Sequence, residues 1–419
     1  MSLGGAFVGL ADDVSAIYWN PAGLAFLNPP KCLGLSVDGF FPSASYRQEK
    51  QILGGGTALV QDSRTQKGWT FSGLAGGCFP LGGRWTAGLG IFTPADLGMD
   101  WMAASMRPVS NDRTDIRWRS RLAVLTIAPA LACRLGERLS AGATLGLNYG
   151  VFEFARYAGN FIAPWPEPPY FQPIDLGQYE ERSTGWGFSA TLGILYRASS
   201  RISLGAYVAA MSPMKFKGDA KIAGFPDLSA VLEREIGGTS PVKKKISWPV
   251  RLGAGIAFRP ATSLTVTADL EWTQWSKLGV IQTTYGDPNW AVYMGERGNN
   301  RMPMFSRDSL EVKAGAEYRF QGFDVRAGLF TDLGVGETDR TNIFFPGRAA
   351  WGAAAGAGVR LDGWCFALGF SYRATTGPKS DIGSIPVYPP SSGTQWNFSL
   401  PGLFKGQGWT ASLAVSRGL

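Results

Sequence analysis

The amino-acid sequence predicts an all-β fold, a 14-stranded antiparallel transmembrane β-barrel. Three observations predict it. Apolar and polar residues alternate with period two along fourteen runs, the connectors between runs are short and long in strict turn, and aromatic residues collect toward run ends on one face. A strand turns successive side chains to opposite faces, so each such run carries one apolar and one small or polar face.

In chain order the runs cover roughly residues 32–46, 68–79, 83–93, 121–135, 138–155, 183–197, 201–217, 246–259, 262–275, 308–320, 322–334, 347–361, 363–375 and 405–417. In the sixth, Trp186, Phe188, Ala190, Leu192, Ile194 and Tyr196 alternate with Gly187, Ser189, Thr191, Gly193 and Leu195. The ninth sets Leu264, Val266, Ala268, Leu270 and Trp272 against Thr265, Thr267, Asp269 and Glu271. In the thirteenth, from Gly363 to Tyr372, every even position is large and apolar and every odd one small or polar. A soluble β-sandwich also alternates, so the connectors must separate the two. Tight links such as Pro80-Leu81-Gly82, Gly136-Glu137, Pro260-Ala261 and Asp362 take turns with loops of about ten to thirty residues. Bacterial outer-membrane barrels keep short turns and both termini on the periplasmic side, which an even strand number satisfies. Several runs exceed the ~9–11 residues a tilted strand needs to cross a bilayer, so they project beyond it.

Composition agrees. The 419 residues include 56 Gly, 13% aromatic and only 17% charged residues. The longest apolar stretch, Leu122 to Cys133, is broken by Thr126 and Pro129 and falls short of the ~18 residues of a spanning helix. No linker, charge shift or repeat divides the chain, so one closed barrel is expected rather than several soluble domains. Glycine suits barrel interiors, where a side chain would obstruct the lumen. On the predicted lipid-facing parity, Trp186, Trp248, Trp272, Trp351 and Trp409 fall toward outer strand ends, and Tyr196, Phe258, Tyr318, Phe320 and Trp364 toward inner ends. These are the two girdles expected where lipid meets water.

The formal charge is +8, yet the basic residues are scattered and no nucleic-acid partner is predicted. Lys243-Lys244-Lys245 is the one compact cluster; it reads as a solvated loop run, or as a contact to the phosphates of membrane lipid or lipopolysaccharide. Arg251, Asp269, Glu271, Glu311, Lys313, Glu317, Asp324 and Arg326 have inward parity and are expected to line the lumen or pair with a plug. With no histidine in the chain, a Ser-His-Asp hydrolase lacks its base. Asp269 and Glu271 read as lumen lining rather than an acid/base pair. Gly54-Gly55-Gly56 lacks the Lys-Ser/Thr of a phosphate loop. Neither catalytic residues, nor a cofactor, nor a metal site is predicted. Cys32, Cys78, Cys133 and Cys365 have no metal spacing; Cys32 and Cys78 sit at similar height on neighbouring strands, which leaves open a bridge or, as the simpler reading, four free thiols.

The most specific words precede the first run. Gly4-Gly5-Ala6, Ala11-Asp12-Asp13-Val14-Ser15 and Asn20-Pro21-Ala22-Gly23-Leu24 resemble, in order, the N-terminal hatch of the FadL/TodX family of outer-membrane hydrophobic-compound transporters. Pro249 to Phe258 with Ala268 to Ser276, and Val312 to Arg319 with Val325 to Gly328, are similar to paired strands of that family. The resemblance implies a hatch over residues 1–31, with Asn20, Pro21 and Ala22 at its turn, inside a barrel over 32–419. It implies passive transport of hydrophobic small molecules such as long-chain fatty acids or hydrocarbons by a protein of the Gram-negative outer membrane. Ligand would be captured outside, pass a plug-gated barrel, and leave sideways near a kink in the third strand, where Gly88 and Gly90 are candidates. Capture is expected on two long loops: Phe161, Trp165, Tyr170 and Phe171, held among prolines, and Leu228, Val231, Leu232 and Ile236, on one face of a short helix. Packing of these side chains into a cap is the competing reading. The secretion-associated PorV barrels share the hatch words, so a docking role, or an aqueous porin, is the alternative. Met1 falls inside the hatch segment, so a secretory signal is expected upstream of the numbering. The partners expected are membrane lipid and a hydrophobic ligand, with a monomer favoured.

Overall fold

The protein is described from a computed structural model, which covers residues 2–51, 57–107, 112–164, 171–233, 235–296, 300–304, 306–334, 342–347, 349–375 and 403–419. The barrel strands are β1 (Cys32–Gln51), β2 (Thr70–Gly82), β3 (Trp85–Leu97), β4 (Trp118–Arg134), β5 (Leu139–Tyr157), β6 (Gln178–Arg197) and β7 (Ile202–Met211). They continue as β8 (Arg251–Ala261), β9 (Leu264–Thr273), β10 (Ser309–Arg319), β11 (Phe323–Asp332), β12 (Ala350–Leu361), β13 (Trp364–Thr375) and β14 (Leu403–Gly418). Each pairs antiparallel with the next. β14 returns to β1 from Cys32↔Gly418 to Arg47↔Leu403 and closes the barrel. Closure leaves no strand without a neighbour on each side, which a sheet in lipid requires.

The alternation places its apolar face outward. Phe188 is 68% exposed, Leu368 64% and Leu329 65%, and these side chains have no protein layer over them. A contiguous belt of this kind is far larger than a soluble surface carries, so lipid is its solvent. Nine of the ten predicted girdle aromatics lie on this outer surface, with Tyr372 and Phe370 packed beside Trp409 at 4.3 and 5.1 Å. Trp248 does not. It is buried in the apolar core above the membrane, because the run predicted over 246–259 is broken at Pro249 and the barrel strand starts only at Arg251. The seventh run is likewise broken, at Pro213. Proline cannot donate to the ladder and interrupts pairing at both places. The released segments Met214–Ile222 and Thr239–Ile246 pair with each other, and the first also with the upper part of β6. The lysine cluster is therefore strand, not solvated loop: Lys243 and Lys245 point out while Lys244 is buried.

Cys32 and Cys78 face one another in the β1–β2 register and form a disulfide, with their Cα atoms 5.3 Å apart, while Cys133 and Cys365 are free. The bridge ties the start of β1, where the N-terminal segment leaves the barrel, to β2. Thiol titration of the denatured protein should count two thiols without reductant and four after reduction; four without reductant would rule the bridge out.

Candidate functional site

Residues 2–31 fold inside the barrel as a plug containing α1 (Ala16–Trp19) and a 3-10 helix (Pro21–Phe26). The turn between them is made by Asn20, fully buried and extended at φ −156°, ψ 95°. Its Oδ1 accepts from Ala22 N at 3.3 Å, and its Nδ2 donates to Val8 O and to Ile194 O of β6, both at 3.0 Å. Pro21 opens the helix, where its missing N–H is no loss. One amide thus joins two parts of the plug to the wall. Room for it comes from glycine: a Cβ on Gly193 would run into Asn20 Oδ1, and one on Gly205 into Val8 O.

The wall reaches in elsewhere with polar side chains. Asp269 of β9 accepts from Phe7 N at 2.5 Å and Val8 N at 2.7 Å. Ser203, Ser140 and Thr144 donate to Gly9 O, Ala22 O and Ile17 O at 2.6, 2.8 and 2.8 Å. Arg251 donates to Tyr18 OH at 2.7 Å, and Arg197 lies over the Phe26 ring at 4.1 Å. The plug's own carbonyls and amides, which burial would otherwise leave unpaired, are satisfied by these strands. The other inward charges pair within the wall, Lys313 with Glu271 and Glu311 at 3.2 and 2.7 Å, and Arg326 with Glu317 and Asp324 at 2.7 Å each. Between the plug and β13, β14, β1 and β2 lies a cavity of about 420 Å³ whose lining includes Asp12, Asp13, Ser36, Asp38 and Ser72.

Gly88 and Gly90 sit against the plug, where a Cβ on either would come within 3.1–3.2 Å of Ile17. Both lie in unbroken pairings with β2 and β4. The irregularity is higher up. Between β3 and β4 the register shifts from Phe92↔Thr126 to Ala95↔Val124, so Thr93 and Pro94 oppose the single Leu125. Pro94 offers β2 no N–H. Among the described residues the β2–β3 pairing ends at Leu74↔Phe92, while β2 continues alone along β1 to Thr70↔Phe40. A bulge re-aims a strand and ends pairing in this way. The level is fixed by register: Gly73 lies opposite Val37, which lies opposite Leu413, four residues below Trp409 of the outer girdle. Behind this parting is a cavity of about 610 Å³ bounded by Phe40, Trp69, Phe71, Leu97, Phe404 and Pro346, with Asp96, Arg121 and Arg373 among its polar lining.

Above the plug the loops pack as a cap. Phe161 is buried with its edge on Tyr293 at 5.6 Å, and α2 (Phe225–Leu232) buries Leu228 and packs Leu232 against the same cluster, as does Ile236. Val231 is exposed on the far side of α2. Trp165 and Tyr170 lie outside the described residues; Phe171 begins a short strand opposite Pro164, its side chain outside them too.

Two features escaped the sequence reading. The loop between β11 and β12 folds inward over Asn342–Pro346: Asn342 Oδ1 accepts from Phe344 N at 2.9 Å, Trp101 Nε1 donates to Ile343 O at 3.0 Å, and Ser120 Oγ to Phe344 O at 2.6 Å. Phe344 stacks on Trp118 at 6.0 Å and meets Phe154 at 4.6 Å, while Phe345 covers Phe152. The run Asn342-Ile343-Phe344-Phe345-Pro346 in a loop is the available signal. The second is a buried ion pair, Lys244 Nζ to Glu181 Oε1 at 2.5 Å. Burial pulls the Lys244 ammonium below its ordinary range against the pull of Glu181, and pushes the Tyr285 hydroxyl upward.

Comparison with known proteins places this architecture. No curated protein matches the chain in sequence. Among solved structures it is similar to a Pseudomonas aeruginosa FadL homologue, at 15% identity, covering 100% of this chain and 97% of that one with a TM-score of 0.76. The Pseudomonas putida toluene transporter TodX gives 14%, 100%, 96% and 0.70, and the Ralstonia pickettii toluene transporter TbuX 16%, 99%, 96% and 0.66. At these identities the likeness speaks for the fold. The family model described as "Outer membrane protein transport protein (OMPP1/FadL/TodX)" matches residues 1–377. The plugged 14-stranded barrel is therefore that of an outer-membrane transport protein rather than an enzyme, and the chain belongs to the OMPP1/FadL/TodX family.

Proposed function

We propose that the chain admits hydrophobic small molecules, fatty acids or hydrocarbons, through its outer mouth and releases them sideways between β2 and β3 while the plug blocks the axial route. The observation that carries this reading is the parting of β2 from β3 above Leu74↔Phe92, set by Pro94 and backed by a cavity, part aromatic and part polar, at the level of the outer leaflet. An apolar solute leaving there enters lipid directly and never meets water, whereas a sugar gains nothing from that exit. Solved neighbours described as toluene transporters support the cargo class.

Purified protein in liposomes tests it. At least one of toluene and a labelled long-chain fatty acid should equilibrate faster than in protein-free vesicles, with a small sugar excluded; sugar flux without uptake of either would overturn the reading in favour of an aqueous porin.

A further inference from the structure

The ion pair of Lys244 and Glu181 is buried inside the cap. Glu181 is 4% exposed and Lys244 6%. Around them stand Phe152, Phe154, Ile281 and Met302, with a void of only about 20 Å³ between, room for one water and no more. The Lys244 ammonium also rests on the Phe152 ring, 3.7 Å from its centroid.

Three donors here converge on one carboxylate, while Arg156, which lines the same void, donates to Tyr157 O and lies over the Tyr179 ring at 5.1 Å. Lys244 Nζ reaches Oε1 at 2.5 Å, Ser183 Oγ donates to Oε1 at 3.3 Å, and Tyr179 OH donates to Oε2 at 3.0 Å. Tyr179 and Tyr285 hydroxyl oxygens are 3.2 Å apart. Since the Tyr179 proton is committed to Glu181, Tyr285 is the donor of that pair, and the chain of hydrogen bonds runs from Tyr285 through Tyr179 to Glu181. A lysine, a serine and a tyrosine aimed at one point form an anion site. The protein fills it with its own side chain.

A buried ion pair of this kind is a poor way to gain stability, because desolvation offsets most of the attraction. Its effect on passing molecules is larger. With Glu181 in place the lysine offers no charge to a ligand, and a second carboxylate entering the cap would be desolvated beside an existing one whose three donors are already engaged.

We propose that Glu181 is a specificity-determining residue: a built-in carboxylate that occupies the Lys244–Ser183–Tyr179 anion site, so that the cap accepts uncharged hydrophobic molecules and turns away carboxylates of the same shape. This rests on the transport reading for its consequence and narrows its cargo to hydrocarbons. The anion site itself stands on geometry alone.

The experiment has two arms. In detergent, acetate should raise the unfolding temperature of Glu181→Ala, where the removed carboxylate leaves its three donors facing a vacancy, and should do so neither for the wild-type protein nor for the double variant Glu181→Ala/Lys244→Met. In liposomes, the ratio of benzoate to toluene flux should rise about tenfold or more from wild type to Glu181→Ala, as expected for a recovered charge-assisted hydrogen bond. Glu181→Gln, which keeps the shape and removes only the charge, should fall between and serves if the alanine variant does not fold. A folded Glu181→Ala insensitive to acetate, or equal flux ratios in wild type and Glu181→Gln, would overturn the proposal. Absence of toluene flux in the wild type alongside acetate rescue would instead count against the transport reading and leave the anion site standing.

Discussion

Deleting Pro94 should close the wall and cut uptake of hydrophobic cargo by at least about tenfold, while the barrel keeps or gains thermal stability. The deletion removes one of the two residues opposing Leu125 and restores one-to-one register between β3 and β4. Continuing the β2–β3 register upward from Leu74↔Phe92 then sets Gly73, Ser72, Phe71 and Thr70 opposite Thr93, Ala95, Asp96 and Leu97. Each hydrogen bond so gained contributes about 1 kcal/mol against opening. Two or three of them shift the open population by more than a factor of ten. Pro94→Ala separates the two causes, since it supplies the missing N–H and keeps the extra residue; its effect should be smaller. The measurement is toluene entry into liposomes, with the barrel's unfolding temperature as the control. Full uptake by a correctly folded deletion variant would mean that cargo leaves elsewhere.

The barrel was legible because its rules are local. Period two in β6, β9 and β13 and the tight link at Asp362 need no knowledge of the rest of the chain, and the closure of β14 on β1 follows from an even count. The plug was legible from words: Asn20-Pro21-Ala22 reads as a turn, and the turn is where the fold puts it. What parity could not give was set by single prolines and by loops that fold back. Pro213 and Pro249 each split a run that alternates smoothly through them, which carried Trp248 from the girdle into the cap. Pro94 moved the irregularity of the third strand several residues above Gly88 and Gly90. Lys244 looked solvated because three lysines in a row suggest water. In a strand the middle one must face opposite to its neighbours, and its partner Glu181 lies on an element that only the folded loops bring near. Likewise, nothing adjacent to Phe344 and Phe345 announces that Trp118 and Phe152 await them.

Asn20→Ala should loosen the plug without loosening the barrel. The amide makes three hydrogen bonds in a site with no exposure, and its loss strands Val8 O and Ala22 N and cuts the plug's tie to Ile194 O, in a space that Gly193 and Gly205 keep too tight for easy repacking. At about 1 kcal/mol for each bond lost, the plug's local opening costs about 3 kcal/mol less, so its open fraction rises about a hundredfold. Hydrogen exchange of the amides around Phe7 to Phe26 should speed by that order, and small-ion conductance across a planar bilayer should increase. The ladder of β6 should exchange as before, because strand pairing on both sides of Ile194 does not pass through the plug. Asn20→Asp is the sharper variant. It keeps the oxygen that accepts from Ala22 N but turns the other end, a donor to two carbonyls, into a charged acceptor facing both of them, which burial makes more costly than a simple loss. Asp269→Asn gives the matching result from the wall side, since an amide oxygen can still accept from Phe7 N and Val8 N and should leave exchange of the plug closer to wild type. If Asn20→Asp and Asp269→Asn loosen the plug equally, the hatch is held by its packing against β3 and β4 rather than by these hydrogen bonds, and Asn20 shapes a turn without fastening it.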